Sequence, residues 1–268
     1  MPPDHDPLLL CTRLCISVPG RLLVETLDLA VGRGEVVAVL GQNGSGKSLT
    51  LMTLAGLRRP DSGAVLLNGL DVFQTRRQQV ARQLALLPQN TDDIFPATVL
   101  DMALIGRHPH IGRFNWESAE DRAIANEALT DMGLDRLIDR DVLTLSGGER
   151  RRLAISQVLA QCPDVYLLDE PTNHLDPQHQ LDALRVFRRA ADSGASIVVS
   201  LHDVNLAARF ADRCLLLFGD GRWELGTRKQ VLTAARLSDL YNTAMEAVDW
   251  RSQQLFVATG DRSLDNFR

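Results

Sequence analysis

The chain has 268 residues, 45% of them hydrophobic and 24% charged, with a formal net charge of −5. That size and composition fit a globular α/β unit with a substantial core, and the acidic balance argues against broad electrostatic binding to nucleic acid. No run approaches the ~18 consecutive apolar residues that span a bilayer. The lead-in, with Asp4 and Asp6 before a short apolar run at 8–10, lacks the basic start and longer apolar core of a signal peptide, so the chain is expected in the cytosol.

In chain order, residues 1–18 read as a loose lead-in to a first strand. The β-branched apolar run from Val36 to Leu40 predicts a second. A glycine-rich stretch follows, then a helix over 47–57 ended by Arg58, Arg59 and Pro60. Asp61, Ser62 and Gly63 predict a turn into a strand over 64–67, and 84–87 is a further apolar run before Pro88. From about 96 to 140 the periodicity is helical, broken by a loop at 106–115, with its clearest helix over 120–132. Beyond it, apolar strands at 165–168, 196–201 and 214–218 are separated by helices at 146–161, 178–192 and 204–210. Strands alternating with helices predict a parallel sheet covered on both faces; the 96–140 block reads as a helical insert. The four cysteines, Cys11, Cys15, Cys162 and Cys214, include no second close pair to complete a zinc site. They read as small buried hydrophobes in a reducing compartment.

Gly41, Gln42, Asn43, Gly44, Ser45, Gly46, Lys47 and Ser48 satisfy G-x-x-x-x-G-K-[ST] in full, between a strand and a helix. Such a loop curls its N–H groups toward phosphate oxygens at a helix N-terminus. Lys47 then supplies charge to the β- and γ-phosphates of ATP, and Ser48 a hydroxyl to Mg²⁺. Thr50, in the helix that the loop opens, is assigned to nucleotide binding with it. Downstream, the apolar strand Val165-Tyr-Leu-Leu ends in Asp169 and Glu170. Asp169 is placed to hold Mg²⁺, and Glu170 to take a proton from water attacking the γ-phosphate.

Leu145-Ser-Gly-Gly-Glu149 precedes a basic helix beginning Arg150-Arg-Arg152. Ser146 and Glu149 form an S-x-x-E capping box, and Gly147 and Gly148 leave a bare helix N-terminus open to an anion. Leu145 to Glu149 resembles the signature of the ABC (ATP-binding cassette) ATPases. Further elements resemble that family in order: Gln89 its Q-loop glutamine, Asn173-His-Leu-Asp176 its D-loop, and His202 its switch histidine. The resemblance covers about residues 9–245.

It implies an α/β P-loop NTPase fold of the ABC cassette type, with a RecA-like parallel-sheet core, an N-terminal antiparallel β subdomain and a helical subdomain. A single ATPase domain would occupy 8–250, with the helical subdomain at about 96–160 and a short tail at 251–268. It also implies that Glu170, His202 and Gln89 serve catalysis, that Ser48, Gln89 and Asp169 face Mg²⁺, and that Ser146, Gly147, Gly148 and Asp176 meet nucleotide across a head-to-tail dimer with a second copy. One departure is visible. The family places an aromatic near residues 18–20 to stack on adenine, and Val18-Pro-Gly20 has none, which points to weaker or less selective nucleotide binding.

The absence of membrane helices implies separate permease subunits, and the working position of such a subunit is the cytoplasmic face of the inner membrane. The 56 residues between Gln89 and Ser146 are too few for the long coiled coils of DNA-repair relatives, and the 50 after Phe218 leave little space for a regulatory domain. Ile105-Gly-Arg-His-Pro-His-Ile-Gly-Arg-Phe114 and the run from Leu201 to Ala208 resemble the ATPases of ferric-siderophore, haem and cobalamin importers, which also use a substrate-binding protein. Import of haem or a ferric siderophore is the leading expectation. The alternatives are a cobalamin importer, a soluble ABC ATPase acting on ribosomes or DNA, and a non-hydrolysing ATP clamp, against which Glu170 argues. His108 and His110 read as polar loop residues rather than metal ligands, since no third ligand lies nearby.

Overall fold

The computed structural model describes residues 7–90, 96–112, 115–251 and 253–260. Arg113 and Phe114 of the importer-like stretch, and 261–268 of the expected tail, lie outside the described residues. Strands β1 (Leu9–Val18), β2 (Arg21–Val31), β4 (Ser62–Leu67) and β5 (Leu70–Asp71) form an antiparallel sheet in the order β2-β1-β4-β5. The second sheet holds β3 (Val36–Leu40), β6 (Leu84–Leu87), β7 (Val165–Asp169), β8 (Ser196–Ser200), β9 (Arg213–Leu217) and β10 (Trp223–Thr227), in the order β10-β9-β3-β8-β7-β6. It is parallel except for β10, which pairs antiparallel with β9 at one edge.

Every residue of β3, β7 and β8 is buried, as expected where both faces of a parallel sheet are covered. The twofold side-chain period divides β3 between two cores. Val36, Ala38 and Leu40 join the core under the helices α3 (Val99–Leu104), α4 (Ala119–Asp131), α5 (Gly147–Ala160) and α6 (Pro177–Asp192). Val37 and Val39 face the other core, shared with α1 (Lys47–Leu54) and the antiparallel sheet. Tyr166 and Leu168 against Val165 and Leu167 repeat the division on β7.

The insert is a joint rather than an open loop. Helices α3, α4 and α5 pack on one another. A Cβ on Gly106 would stand 2.1 Å from Gln157 O, so only glycine lets this turn meet α5. The buried Arg107 guanidinium donates to Ala160 O and to Asp121 Oδ1, both at 2.9 Å. His110 Nε2 lies 2.8 Å from Gln161 O, and Pro109 O accepts from Gln78 and Arg82 of α2 (Arg77–Gln83). Thr98/Asp101, Ser118/Asp121 and Ser146/Glu149 each close a capping box at the start of α3, α4 and α5.

Several expectations need correction. The helix after the glycine loop ends at Leu54, not 57, because Gly56 at φ +69° and the bonds Gly56 N→Thr53 O and Leu57 N→Met52 O form a Schellman turn. Of the cysteines, Cys162 is exposed and Cys15 half-buried; only Cys11 and Cys214 are buried, and all four are free. A tail does not begin at 251. After α7 (Val204–Phe210), α8 (Arg228–Val231) and α9 (Ala234–Tyr241), β11 (Met245–Trp250) pairs antiparallel with β12 (Gln253–Ala258), and Phe256 is buried in the core beneath the helices. Among the described residues no helix is long and apolar enough to cross a membrane.

Candidate nucleotide site

The β3 strand delivers the chain to the phosphate-type loop. Gly44 at φ +75° and Gly46 at φ +104° occupy the left-handed region that glycine enters freely. Gly46 also sits so close to Leu23 that a Cβ would stand 3.2 Å from the leucine Cβ. No side chain caps α1, so its first N–H groups remain for an anion. Lys47 is buried and donates to Gly41 O at 2.8 Å and Gln42 O at 3.2 Å. Burial pulls its pKa down, and the charges of Glu170 and Asp169 push it back up.

Opposite this loop, β7 ends in Asp169, followed by Glu170. Glu170 has φ +49°, a costly conformation for a residue with a Cβ. Its main chain is held there from several sides. Glu170 N donates to Ser200 Oγ at 2.8 Å, and Glu170 O accepts from Asn173 N at 3.1 Å and from Arg151 Nη2 at 2.8 Å. The side chain is equally engaged. Gln89 Nε2 donates to Oε2 at 2.7 Å, Asn173 Nδ2 donates to the same oxygen, and His202 Nε2 lies 2.5 Å from Oε1. Ser200 Oγ donates to Asp169 Oδ1 at 2.6 Å, leaving Oδ2 for another partner.

Asn43, Gly44, Gly46, Lys47, Ser48, Gln89, Glu170, Asn173 and His202 line one cavity of about 630 Å³, with Val18, Arg21 and Leu23 also in its wall. A cavity of equal volume, lined by Pro7, Leu8, Arg33 and Asn68 among others, gathers no comparable set of ionisable side chains. The oxygens offered by Ser48, Gln89 and Asp169 are hard donors of the kind Mg²⁺ takes, so the donor set fits that ion.

Not every expected residue is brought together. Thr50 is fully buried behind the loop, and among the described residues neither its hydroxyl nor that of Ser45 has a hydrogen-bond partner. Ser146 and Gly147 are exposed and do not line the cavity, and a Cβ on Gly147 would meet nothing within 4 Å. Asp176 also stands apart, as the α6 cap: His179 N donates to Oδ1 at 2.9 Å and His179 Nδ1 lies 2.8 Å from Oδ2. These bonds hold its pKa below the ordinary carboxylate value. Ser200, Arg151 and Arg21 belong to none of the motifs legible in the sequence. Ser200 is the last residue of β8, two before His202, and Arg151 is hidden within a basic run.

A glycine-rich loop at a parallel-strand–helix junction, facing the carboxylates that end a neighbouring strand, defines a P-loop nucleotide-binding ATPase. Similarity to known proteins places the chain more narrowly. The family model described as ABC transporter matches residues 24–173. The achromobactin transport ATP-binding protein of Dickeya dadantii is 37% identical over 230 residues, 85% of this chain and 86% of the relative. The hemin import ATP-binding protein of Myxococcus xanthus is 40% identical over 238 residues, 86% of this chain and 88% of the relative. Among solved structures, an inward-facing transporter described as of metal-chelate type matches with TM-score 0.83 and 28% identity, over 97% of this chain and 100% of the matched one. The chain belongs to the ABC transporter family, as an ATP-binding, ATP-hydrolysing subunit.

Proposed function

We propose that this chain hydrolyses ATP in a head-to-tail dimer with a second copy, at the cytoplasmic face of the inner membrane, to drive import of haem or a ferric siderophore through separate permease subunits served by a substrate-binding protein. The observation that carries the dimer is the division of the site. Lys47, Gln89, Glu170 and His202 share a cavity, whereas Ser146 and Gly147 are exposed away from it, Ser146 paired with Glu149 in the capping box and Gly147 with open space where a Cβ would stand. The exposed N-terminus of α5, with glycines at its first two positions, then fits the γ-phosphate of ATP held by the other copy, and Asp176 lies at the seam between the two. The cargo reading rests on the similarity to achromobactin and hemin transport ATPases and on the insert joint built from Gly106, Arg107 and His110.

On ATP binding, Lys47 exchanges the Gly41 and Gln42 carbonyls for phosphate oxygens, a stronger, charge-assisted bond. Ser48, Gln89 and Asp169 would hold Mg²⁺, which neutralises charge on the β- and γ-phosphates when bound. His202 turns from Glu170 toward the γ-phosphate. Glu170, relieved of that contact, accepts a proton from water as the water oxygen bonds to the γ-phosphorus and the bond to the ADP oxygen breaks. Val18, Arg21 and Leu23 form the wall for the base in place of an aromatic. Arg21 Nε is pinned to Gly219 O at 2.7 Å, which fixes the guanidinium plane for stacking.

The test is uptake into liposomes holding the chain with its membrane subunits and binding protein, ATP inside, with haem, a ferric siderophore and cobalamin offered in parallel. Haem or siderophore uptake abolished by Glu170→Gln supports the reading. Cobalamin uptake alone moves the cargo to the vitamin, and unchanged uptake in the variant removes Glu170 from its role.

A further inference from the structure

Helix α5 has a second functional feature one turn beyond its exposed start. Arg151 is buried, at 4% exposure, and among the described residues its guanidinium bonds to main-chain carbonyls in two segments. Nη1 donates to Pro88 O at 2.7 Å and Gln89 O at 3.2 Å. Nη2 donates to Asp169 O at 2.7 Å and Glu170 O at 2.8 Å, and Nε to Pro171 O at 3.3 Å. One bond for each N–H uses the whole donor set of an arginine. The two segments are those that carry Gln89 and Glu170, whose side chains also bond to each other. Burial lowers the Arg151 pKa to about 10, opposed by the charges of Asp169 and Glu170, so the group is still a cation at neutral pH.

We propose that Arg151 is a positioning residue for ATP hydrolysis: it clamps the Gln89 and Glu170 turns to α5, so that a contact made at Ser146–Gly148 reaches the catalytic carboxylate of the same chain through one rigid helical turn. From Ser146 to Arg151 the axial distance is roughly 7.5 Å. In a dimer, the nucleotide bound by one copy touches the α5 start of the other, and Arg151 carries that contact to the other copy's Glu170. The two sites therefore turn over together. This coupling rests on the head-to-tail dimer proposed above; the positioning role itself does not.

The experiment is steady-state ATPase kinetics of the full chain carrying Arg151→Lys or Arg151→Gln, with thermal unfolding measured alongside. Lysine keeps the cation but offers three donors on a flexible stem, and glutamine offers two without charge; neither can hold both turns. Misplacing the base is expected to lower kcat by about 10²-fold, with KM for ATP within about threefold of the parent and the Hill coefficient reduced to that of independent sites. An unchanged kcat, or a raised KM at constant kcat, overturns the proposal. So does a loss of turnover that merely follows the unfolded fraction. A parent chain whose specific activity does not depend on protein concentration, with a Hill coefficient of one, refutes the dimer instead, and the kcat of the variants still decides the positioning role.

Discussion

Replacing Ser200 by alanine removes one hydroxyl that serves both carboxylate-bearing residues. Ser200 is fully buried. Its Oγ donates to Asp169 Oδ1 at 2.6 Å and accepts from Glu170 N at 2.8 Å. A net hydrogen bond to a charged group contributes about 1.5–3 kcal/mol, and an orphaned buried N–H costs about 1–3 kcal/mol. Because a single hydroxyl makes both bonds, the combined loss is set at about 3 kcal/mol. For a chain near this size each kcal/mol moves the unfolding midpoint by about 2–4 °C, so Ser200→Ala should lower it by roughly 6–12 °C. Function should suffer in a distinct way. Glu170 keeps its left-handed backbone only while its contacts hold, and Asp169 becomes free to rotate. Turnover should fall, and the Mg²⁺ concentration for half-maximal rate should rise. Differential scanning calorimetry and an ATPase titration with Mg²⁺ measure the two effects. A midpoint within about 2 °C of the parent, with an unaltered Mg²⁺ requirement, refutes the reasoning that Ser200 orders the end of β7.

Other substitutions separate packing from function. Gly147→Ala meets no atom within 4 Å in its own chain, so stability should hold or gain about 0.5–1 kcal/mol while turnover falls; full activity would argue against close approach of a second copy there. Gly106→Ala should instead destabilise by about 1–3 kcal/mol, seen in urea unfolding, because the methyl would stand 2.1 Å from Gln157 O. Arg21→Ala should raise KM for ATP with little change in kcat, and the opposite split would place Arg21 outside the base wall. The Asp121 pKa is lowered from 3.8 to about 2, first by the Ser118 hydroxyl and then by Arg107. Its folded pKa lies below the unfolded one, so its contribution is complete above pH 3.8 and disappears as the pH falls toward 2. Asp121→Asn should flatten the acid limb of a stability-against-pH profile in that window.

The sequence by itself determined the parallel core, the phosphate-type loop and the two carboxylates, because each depends on local chemistry. An apolar run buried on both faces, a glycine pattern at a strand–helix junction and an acid at a strand end are all written within a few consecutive residues. Ser146 and Glu149 form the expected box for the same reason. What only the tertiary structure decided depends on residues distant in the chain. Arg151 is indistinguishable in sequence from its basic neighbours until α5 packs its side chain between the ends of β6 and β7. Ser200 is an ordinary strand serine until the register Asp169↔Ser200 sets it beside the carboxylate. The strand over 253–258 falls where the family resemblance implies a tail; of its residues Phe256 is buried, and pairing with β11 makes it a strand. Local pattern names the groups that can do the chemistry, but long-range pairing and packing hold them in place, since a side chain's partners across a sheet or a helix joint leave no periodic trace in its own segment.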